Sequence, residues 1–182
     1  MKVILISGKA RNGKDCFASY LEKELKDRGF KTLNIHYADF LKFFCQKYLG
    51  WSGNKDIEGR RILQHTGQSF RESYRDAWCD IMEGFLKGAV KSYDWVLVPD
   101  VRYENEIAMP RELLMDGWIE QLEIIRVERP NYENDLTEEQ KKHESETALD
   151  DYPFSSYYLN VGGLDTMEAN AKEWVDRLLE KE

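Results

Sequence analysis

The sequence is poor in cysteine and histidine, and neither residue type forms a pattern that binds metal or builds disulfides. Its three cysteines, Cys16, Cys45 and Cys79, are far apart and form no CxxC pair. This spacing predicts no zinc site and indicates reduced thiols in a cytosol. We interpret the three scattered histidines as packing or surface residues.

Long apolar runs, internal repeats, low-complexity tracts and Gly/Ser-rich linkers are also missing. After Lys2 only four strongly apolar residues precede Ser7 and Gly8, which argues against a signal peptide. No apolar run is long enough to span a membrane. We therefore expect one cytoplasmic domain covering residues 1–182, with no membrane partner.

Basic residues are outnumbered, since the net charge is -8 and the pI is about 5.1. An acidic chain argues against nucleic acid as the main partner. A local group of Lys and Arg side chains can still bind a small phosphorylated ligand, so a nucleotide-sized partner is compatible with the net charge.

Hydrophobic periodicity predicts strands that alternate with helices. The predicted strands cover residues 3–7, 32–37, 95–98, 122–127 and 157–161, and the predicted helices 14–27, 40–49, 58–67, 70–92, 111–115 and 167–179. This alternation is typical of an α/β fold, a three-layer sandwich with about five parallel strands and helices on both faces. Ligands of such sheets bind at the carboxyl ends of the strands.

The first predicted strand leads into the segment Gly8-Lys9-Ala10-Arg11-Asn12-Gly13-Lys14, which has the spacing of a phosphate-binding loop. Glycine lets the backbone curl so that amide groups point at phosphate oxygens, and the lysine reaches the β- and γ-phosphates. Asp15 stands where a Ser or Thr hydroxyl usually serves Mg²⁺. The flanking strand and amphipathic helix are the context that this motif requires.

Polar residues follow three predicted strands, and parallel strands bring them to one edge of the sheet. They are Asp39, then Asp100 with Arg102, and Asn160. The apolar run before Asp100 resembles a Walker B strand, so this carboxylate could orient Mg²⁺-bound water or bind substrate.

Arginines are concentrated in two regions, the central helical region and the segments after strand ends. Arg61, Gln64 and Arg71 are spaced to share one side of a helix. From the residues alone, a solvated face paired with nearby glutamates is the favoured interpretation.

Taken in order, the motifs resemble those of the phage-type deoxynucleoside monophosphate kinases, which have the P-loop nucleoside monophosphate kinase fold. The matching segments are the GKxxxGKD loop (residues 8–15), A-D-x-L-K (38–42), R-x-L-Q-x-x-G (61–67) followed by Arg71, D-V-R-x-x-N-E (100–106), H-x-S-E (143–146) and N-x-G (160–162). They are spread over most of the chain.

The resemblance implies transfer of the ATP γ-phosphoryl to the 5′-phosphate of a deoxynucleotide, with Mg²⁺, in the cytosol of a bacterium or a phage-infected host. The catalytic residues would be Lys14, Arg102, Arg126 and Arg129. ATP would bind Gly8, Ala10, Arg11, Asn12, Gly13, Lys14, Asp15, Cys16, Asn160 and Gly162. The acceptor would bind Asp39, Lys42, Arg61, Gln64, Arg71, Asp100, Arg102 and Glu106, and Asp15 and Asp100 would serve Mg²⁺ through water.

The resemblance also implies a helical monophosphate-binding insert at about residues 39–92 and a polar lid at about 128–150. Cys16 departs from the family, which often has Thr there, and its thiol is a poorer donor to an α-phosphate. Two other readings stay open: a P-loop kinase for another phosphorylated acceptor, of the phosphomevalonate or dephospho-coenzyme A type, and a non-catalytic nucleotide sensor. The accepted bases, the exclusion of ribonucleotides and a homodimeric state are also open.

Overall fold

A computed structural model describes residues 1–54 and 56–180. Its strands are β1 (Lys2–Ser7), β2 (Thr32–Asn34), β3 (Trp95–Val101), β4 (Gln121–Glu128) and β5 (Ser156–Leu159). Its helices are α1 (Lys14–Asp27), α2 (Ala38–Tyr48), α3 (Ile57–Ser73), α4 (Ala77–Ala89), α5 (Glu104–Met115), α6 (Glu138–Lys142), α7 (Glu144–Thr147) and α8 (Leu164–Leu179).

The strands form one five-stranded sheet in the order β2-β3-β1-β4-β5, and every neighbouring pair is parallel. The central strand β1 pairs with β3 on one side and β4 on the other. Both edges of β1 are therefore hydrogen-bonded within the sheet, and the phosphate-loop segment leaves from the middle of the sheet.

Apolar side chains cover both faces of the sheet. Val3 and Leu5 pack toward α2, α4 and α5, whereas Ile4 and Ile6 pack toward α1 and α8. Successive residues of a strand point to opposite faces, so a continuous apolar run indicates burial on both sides. This arrangement confirms the expected α/β fold with helices on both faces.

The predicted helix at residues 70–92 is wrong at its start. The helix α3 continues to Ser73, the chain breaks at Tyr74, and α4 begins only at Ala77. The side-chain amide of Asn105 donates to the Arg75 carbonyl and to Asp76 Oδ1, at 3.2 and 2.9 Å. Asn105 of α5 thus stabilises the interruption between α3 and α4, which the helical periodicity of the sequence does not predict.

The helix α5 begins at Glu104, earlier than the predicted residues 111–115, and it contains Pro110 in its interior. Proline has no N–H group, so the carbonyl four residues earlier, that of Glu106, has no helical donor. The Tyr37 hydroxyl donates to this carbonyl at 2.7 Å. Tertiary structure therefore supplies the hydrogen bond that makes proline tolerable here.

Candidate active site

At two positions of the loop between β1 and α1, the backbone has a conformation and surroundings that only glycine fits. Gly8 has φ +148° and Gly13 has φ +94°. A Cβ atom at Gly8 would collide with the Val127 carbonyl, and one at Gly13 would lie 2.8 Å from Asn160 Nδ2. Both glycines are thus required by positive φ and by close neighbours.

Asparagine side chains fasten this loop to the sheet. Asn160, which follows β5 and is buried, donates from Nδ2 to the Asn12 carbonyl at 3.0 Å. Asn12 donates from Nδ2 to the Val127 carbonyl at 3.1 Å. Asn160 therefore supports the shape of the loop directly, whereas Gly162 lies exposed near the start of α8.

Lys14 is the first residue of α1, and its side chain is buried. Its Nζ donates to the Lys9 carbonyl at 2.9 Å. Burial, helped by repulsion from Arg102, lowers the pKa of Lys14 to about 7, although Glu146 opposes the shift. An anion beside Lys14 would stabilise its charged form and raise this pKa.

Asp15 and Asp39 flank one imidazole at the edge of the site. His36 Nε2 lies 3.3 Å from Asp15 Oδ1, and its Nδ1 lies 3.3 Å from Asp39 Oδ2. Burial disfavours the charged imidazole, but the bond to Asp15 and the nearby carboxylates outweigh it and raise the pKa of His36. Asp39 also pairs with Lys42 Nζ at 2.9 Å.

Asp100 caps the start of α2. Its Oδ1 accepts from the Tyr37 N–H at 2.9 Å and its Oδ2 from the Ala38 N–H at 3.0 Å. The first amide groups of a helix lack intrahelical acceptors, and a carboxylate there is favoured by the helix dipole. This residue therefore joins the end of β3 to the helical region while it faces the loop.

Arg71 and Arg102 are connected through Glu106. Arg71 Nη2 donates to Glu106 Oε1 at 2.7 Å, and the Arg102 N–H donates to Glu106 Oε2 at 2.7 Å. The Arg71 guanidinium also lies 3.9 Å from the ring centroid of Tyr103. Burial raises the pKa of Glu106 to about 7, while Arg71 and the Arg102 amide oppose the shift.

The segment after β4 reaches back to the phosphate loop with carboxylates. Glu146 Oε2 accepts from the Ala10 N–H at 2.8 Å, and Glu146 Oε1 pairs with Arg102 Nη1 at 2.9 Å. Asp135 pairs with Arg11 at 2.6 Å. The loop and this segment are thus held together by opposite charges.

A cavity of about 280 Å³ lies between the phosphate loop and the helices α2, α3 and α4. The expected site residues that line it are Lys14, Asp15, Lys42, Gln64, Arg71, Asp100, Arg102 and Glu106. Apolar and aromatic side chains complete the wall, namely Tyr37, Leu41, Leu63, Trp78, Tyr103 and Leu136. The wall of this cavity therefore combines charged side chains with apolar and aromatic ones.

Other expected residues lie outside this cavity. Arg61 is 67% exposed and pairs with Glu58 at 2.7 Å, whereas its neighbour Arg60 lines the cavity. Arg129 lies over the Tyr132 ring on the surface. Arg126 is buried near Ser7 and Asp150, beside the loop.

Sequence reasoning missed two kinds of residue. Arg60, adjacent to Arg61, faces the cavity because α3 presents the stripe that also carries Gln64 and Arg71. His36 was assigned to packing or the surface, yet it lines the cavity beside Asp15. The feature of the sequence that could have indicated a place for His36 in the site is its position two residues before the Ala38-Asp39 segment.

Cys16 is half-buried on the first turn of α1 and packs against the core on the α1 and α8 side of the sheet. Within residues 1–54 and 56–180, no group of three or more His, Cys, Asp or Glu side chains could hold a metal ion by itself. In the same described residues, no helix has the length and apolar character needed to cross a membrane.

Comparison with solved structures finds the same overall fold in two kinases. An APS kinase CysC from Mycobacterium tuberculosis has 18% identity and a TM-score of 0.50, over 97% of this chain and 96% of that chain. A sugar kinase from Janibacter sp. has 9% identity and a TM-score of 0.53, over 97% of this chain and 95% of that chain. No protein-family model and no curated protein sequence matches the chain. The likeness therefore concerns the fold, and this chain has the α/β fold of these kinases.

Proposed function

We propose that this protein transfers the γ-phosphoryl group of ATP to the 5′-phosphate of a deoxynucleoside monophosphate, giving ADP and a deoxynucleoside diphosphate. One observation carries the proposal: a single cavity joins the lysine of a phosphate loop to cationic side chains on α2 and α3 and to aromatic walls. The fold shared with an APS kinase and a sugar kinase supports phosphoryl transfer as the reaction class.

The donor side is the loop at the start of α1. The backbone amides of Ala10, which now binds Glu146, and of Arg11, together with the buried Lys14, would offer hydrogen-bond donors and charge to a triphosphate. The Asn12 amide donates to the Lys9 carbonyl at 3.3 Å and helps to shape the loop. Gly8 and Gly13 permit that backbone shape. Asn160 supports the loop from behind, and Gly162 lies near the side where we place the adenine.

The acceptor side is formed by α2 and α3. Arg60, Arg71 and Lys42 line the cavity and would bind the monophosphate. One guanidinium can donate to two phosphate oxygens at once, and the Lys42 ammonium adds positive charge. Gln64 and the aromatic side chains of Tyr37 and Trp78 lie in the same cavity. They suit a nucleobase, which needs stacking surface and a few hydrogen bonds.

The residues present fit a Mg²⁺ ion held mainly by phosphate oxygens and water. Asp15 and Asp100 line the cavity with Lys14 and would offer carboxylate oxygens, and magnesium typically uses one or two carboxylates plus substrate phosphates. Because both Asp100 oxygens already accept backbone amides, we assign it contact through water. The ion would neutralise charge on the β- and γ-oxygens.

The protein's task in this reaction is to position the reactants and stabilise negative charge. Arg102 lines the same cavity as Lys14 and Arg71, and we assign its guanidinium to the negative charge of the transferred phosphoryl group. Arg126 lies behind the loop, and Arg129 would act only if its segment closed over the site. Closure of residues 128–150 would exclude water and limit ATP hydrolysis.

An acceptor panel tests the proposal. The protein would be incubated with ATP, Mg²⁺ and one acceptor at a time. The acceptors are the four deoxynucleoside monophosphates, their ribose counterparts, phosphomevalonate and dephospho-coenzyme A. We expect ADP release and a nucleoside diphosphate product, identified by chromatography, with at least one deoxynucleotide. Turnover with only a non-nucleotide acceptor would show that the proposed substrate is wrong. Tight ATP binding without turnover of any acceptor would indicate a nucleotide sensor.

A further inference from the structure

We propose that Glu106 is a positioning residue that fixes the Arg71 side chain and the Arg102 segment to one buried carboxylate. The inference rests on the proposed function, in which Arg71 binds the acceptor phosphate and Arg102 meets the transferred group. It replaces the expectation that Glu106 itself contacts the substrate. A single side chain would then set the geometry of both halves of the reaction.

The contacts of Glu106 use both of its carboxylate oxygens. Oε1 accepts from Arg71 Nη2 at 2.7 Å, while Oε2 accepts from the N–H groups of Arg102 and Tyr103 at 2.7 and 3.2 Å. Its side chain is 2% exposed. The N–H donors that face Glu106 oppose the effect of burial and stabilise its ionised form, in which a carboxylate only accepts hydrogen bonds and would repel a phosphate at contact distance. Glu106 is thus suited to hold arginines and unsuited to bind the substrate.

The backbone of Glu106 is held as firmly as its side chain. Pro110 leaves the Glu106 carbonyl without a helical donor, and the Tyr37 hydroxyl donates to it at 2.7 Å. Tyr37 is itself bound through its N–H to Asp100. The backbone that carries this carboxylate is therefore hydrogen-bonded to the segment before α2, in addition to its place in α5.

Arg71 has few alternative positions. Its guanidinium lies between the Glu106 carboxylate and the ring of Tyr103, whose centroid is 3.9 Å away. Arginine loses side-chain entropy when it binds a ligand, and holding it in place beforehand reduces that loss. Removing the carboxylate would take away the ion pair of the guanidinium and leave the Arg102 and Tyr103 amides without this acceptor.

The test is a set of steady-state measurements on Glu106→Gln, with Glu104→Gln as the matched control. Glu104 lies exposed on the first turn of the same helix. We expect Glu106→Gln to raise the acceptor KM and to lower kcat, each by about tenfold, with little change in the ATP KM. Arg71→Ala should mainly raise the acceptor KM, and Arg102→Ala should mainly lower kcat. The Glu104 variant should match the wild type.

The double variant Arg71→Ala/Glu106→Gln separates positioning from a general structural effect. If Glu106 acts on the acceptor through Arg71, adding Glu106→Gln to Arg71→Ala should leave the acceptor KM unchanged while kcat still falls. A full additional rise in KM would overturn the proposal, as would wild-type kinetics in a folded Glu106→Gln protein. If Glu106→Gln does not fold, Glu106→Asp, which keeps the charge but shortens the reach, is measured against the same criteria.

A readout without turnover distinguishes this inference from the proposed function. Exchange of the Arg102 and Tyr103 amide hydrogens, followed by NMR in the free protein, should be faster in Glu106→Gln than in Glu104→Gln and wild type. If the wild type fails with every acceptor but this difference is present, the proposed function fails and the contact stands. Equal exchange rates in the two variants would overturn the positioning role itself.

Discussion

The carboxylate of Glu146 accepts a hydrogen bond of 2.8 Å from the backbone N–H of Ala10, inside the loop that we assign to the ATP phosphates. The same carboxylate pairs with Arg102 at 2.9 Å, and its charge acts on Lys14. Each of these groups would also serve a phosphate oxygen. An internal anion thus occupies donors that the proposed nucleotide would use.

Replacing Glu146 by Gln should strengthen ATP binding, because a neutral amide competes less well than a carboxylate for the loop amide and for Arg102. Since hydrogen bonds to charged groups contribute about 1.5–3 kcal/mol, we expect Kd for ATP to fall by roughly fivefold or more. Calorimetric titration with ATP, and with inorganic triphosphate, measures this. Glu144→Gln on the same short helix is the control, and weaker binding by Glu146→Gln would refute the competition.

Lys14→Ala should lower kcat by about a thousandfold while the protein stays folded, because the loop lysine neutralises charge on the transferred group. Thermal unfolding followed by circular dichroism checks the fold. The surface variant Lys23→Ala, whose partner is Glu168, should keep full activity. Unchanged turnover in Lys14→Ala would remove the donor site from the proposal.

ATP binding should take up protons at pH 8 and not at pH 6. The pKa of Lys14 is lowered to about 7, so at pH 8 the amine is mostly neutral in the free protein. A bound triphosphate stabilises the ammonium and raises its pKa, which draws about one proton from solution. At pH 6 the lysine is already charged. Titrations in buffers of different ionisation enthalpy measure the uptake, which Lys14→Ala should abolish.

Arg71→Ala and Arg61→Ala should behave differently although both arginines were predicted in the acceptor site. Arg71 lines the cavity, whereas Arg61 is 67% exposed and pairs with Glu58. We expect Arg71→Ala to raise the acceptor KM by about tenfold or more and Arg61→Ala to leave it unchanged. An equal rise of the acceptor KM in both variants would contradict the assignment of only the Arg71 side of α3 to the acceptor.

Cys16→Thr should tighten ATP binding severalfold, because a hydroxyl donates to phosphate more strongly than a thiol, and such a bond contributes about 1 kcal/mol. Cys16 lies half-buried on the first turn of α1, so the change is small in volume. Cys16→Val has the shape of threonine without a donor and is the control. Equal ATP affinity of the two variants would show that the position makes no phosphate contact.

The strand, loop and first helix could be predicted from the sequence because their signals are local. Apolar residues 3–6 are buried on both sides, Gly8 and Gly13 adopt positive φ, and the predicted helix at residues 14–27 is α1. The start of α5 could not be predicted, because Pro110 argues against a helix unless Tyr37 supplies the missing donor. That donor is far away in the chain.

By itself, the sequence determined the α/β alternation, the phosphate-loop geometry and the types of side chain that reach the sheet edge, since each depends on neighbours along the chain. Tertiary structure decided which of two adjacent arginines, Arg60 or Arg61, faces the cavity, because neighbours on a helix point about 100° apart. It also decided that Glu106 pairs with Arg71, a residue 35 positions earlier in the chain. Burial and distance across elements set these contacts, and sequence spacing does not encode either quantity.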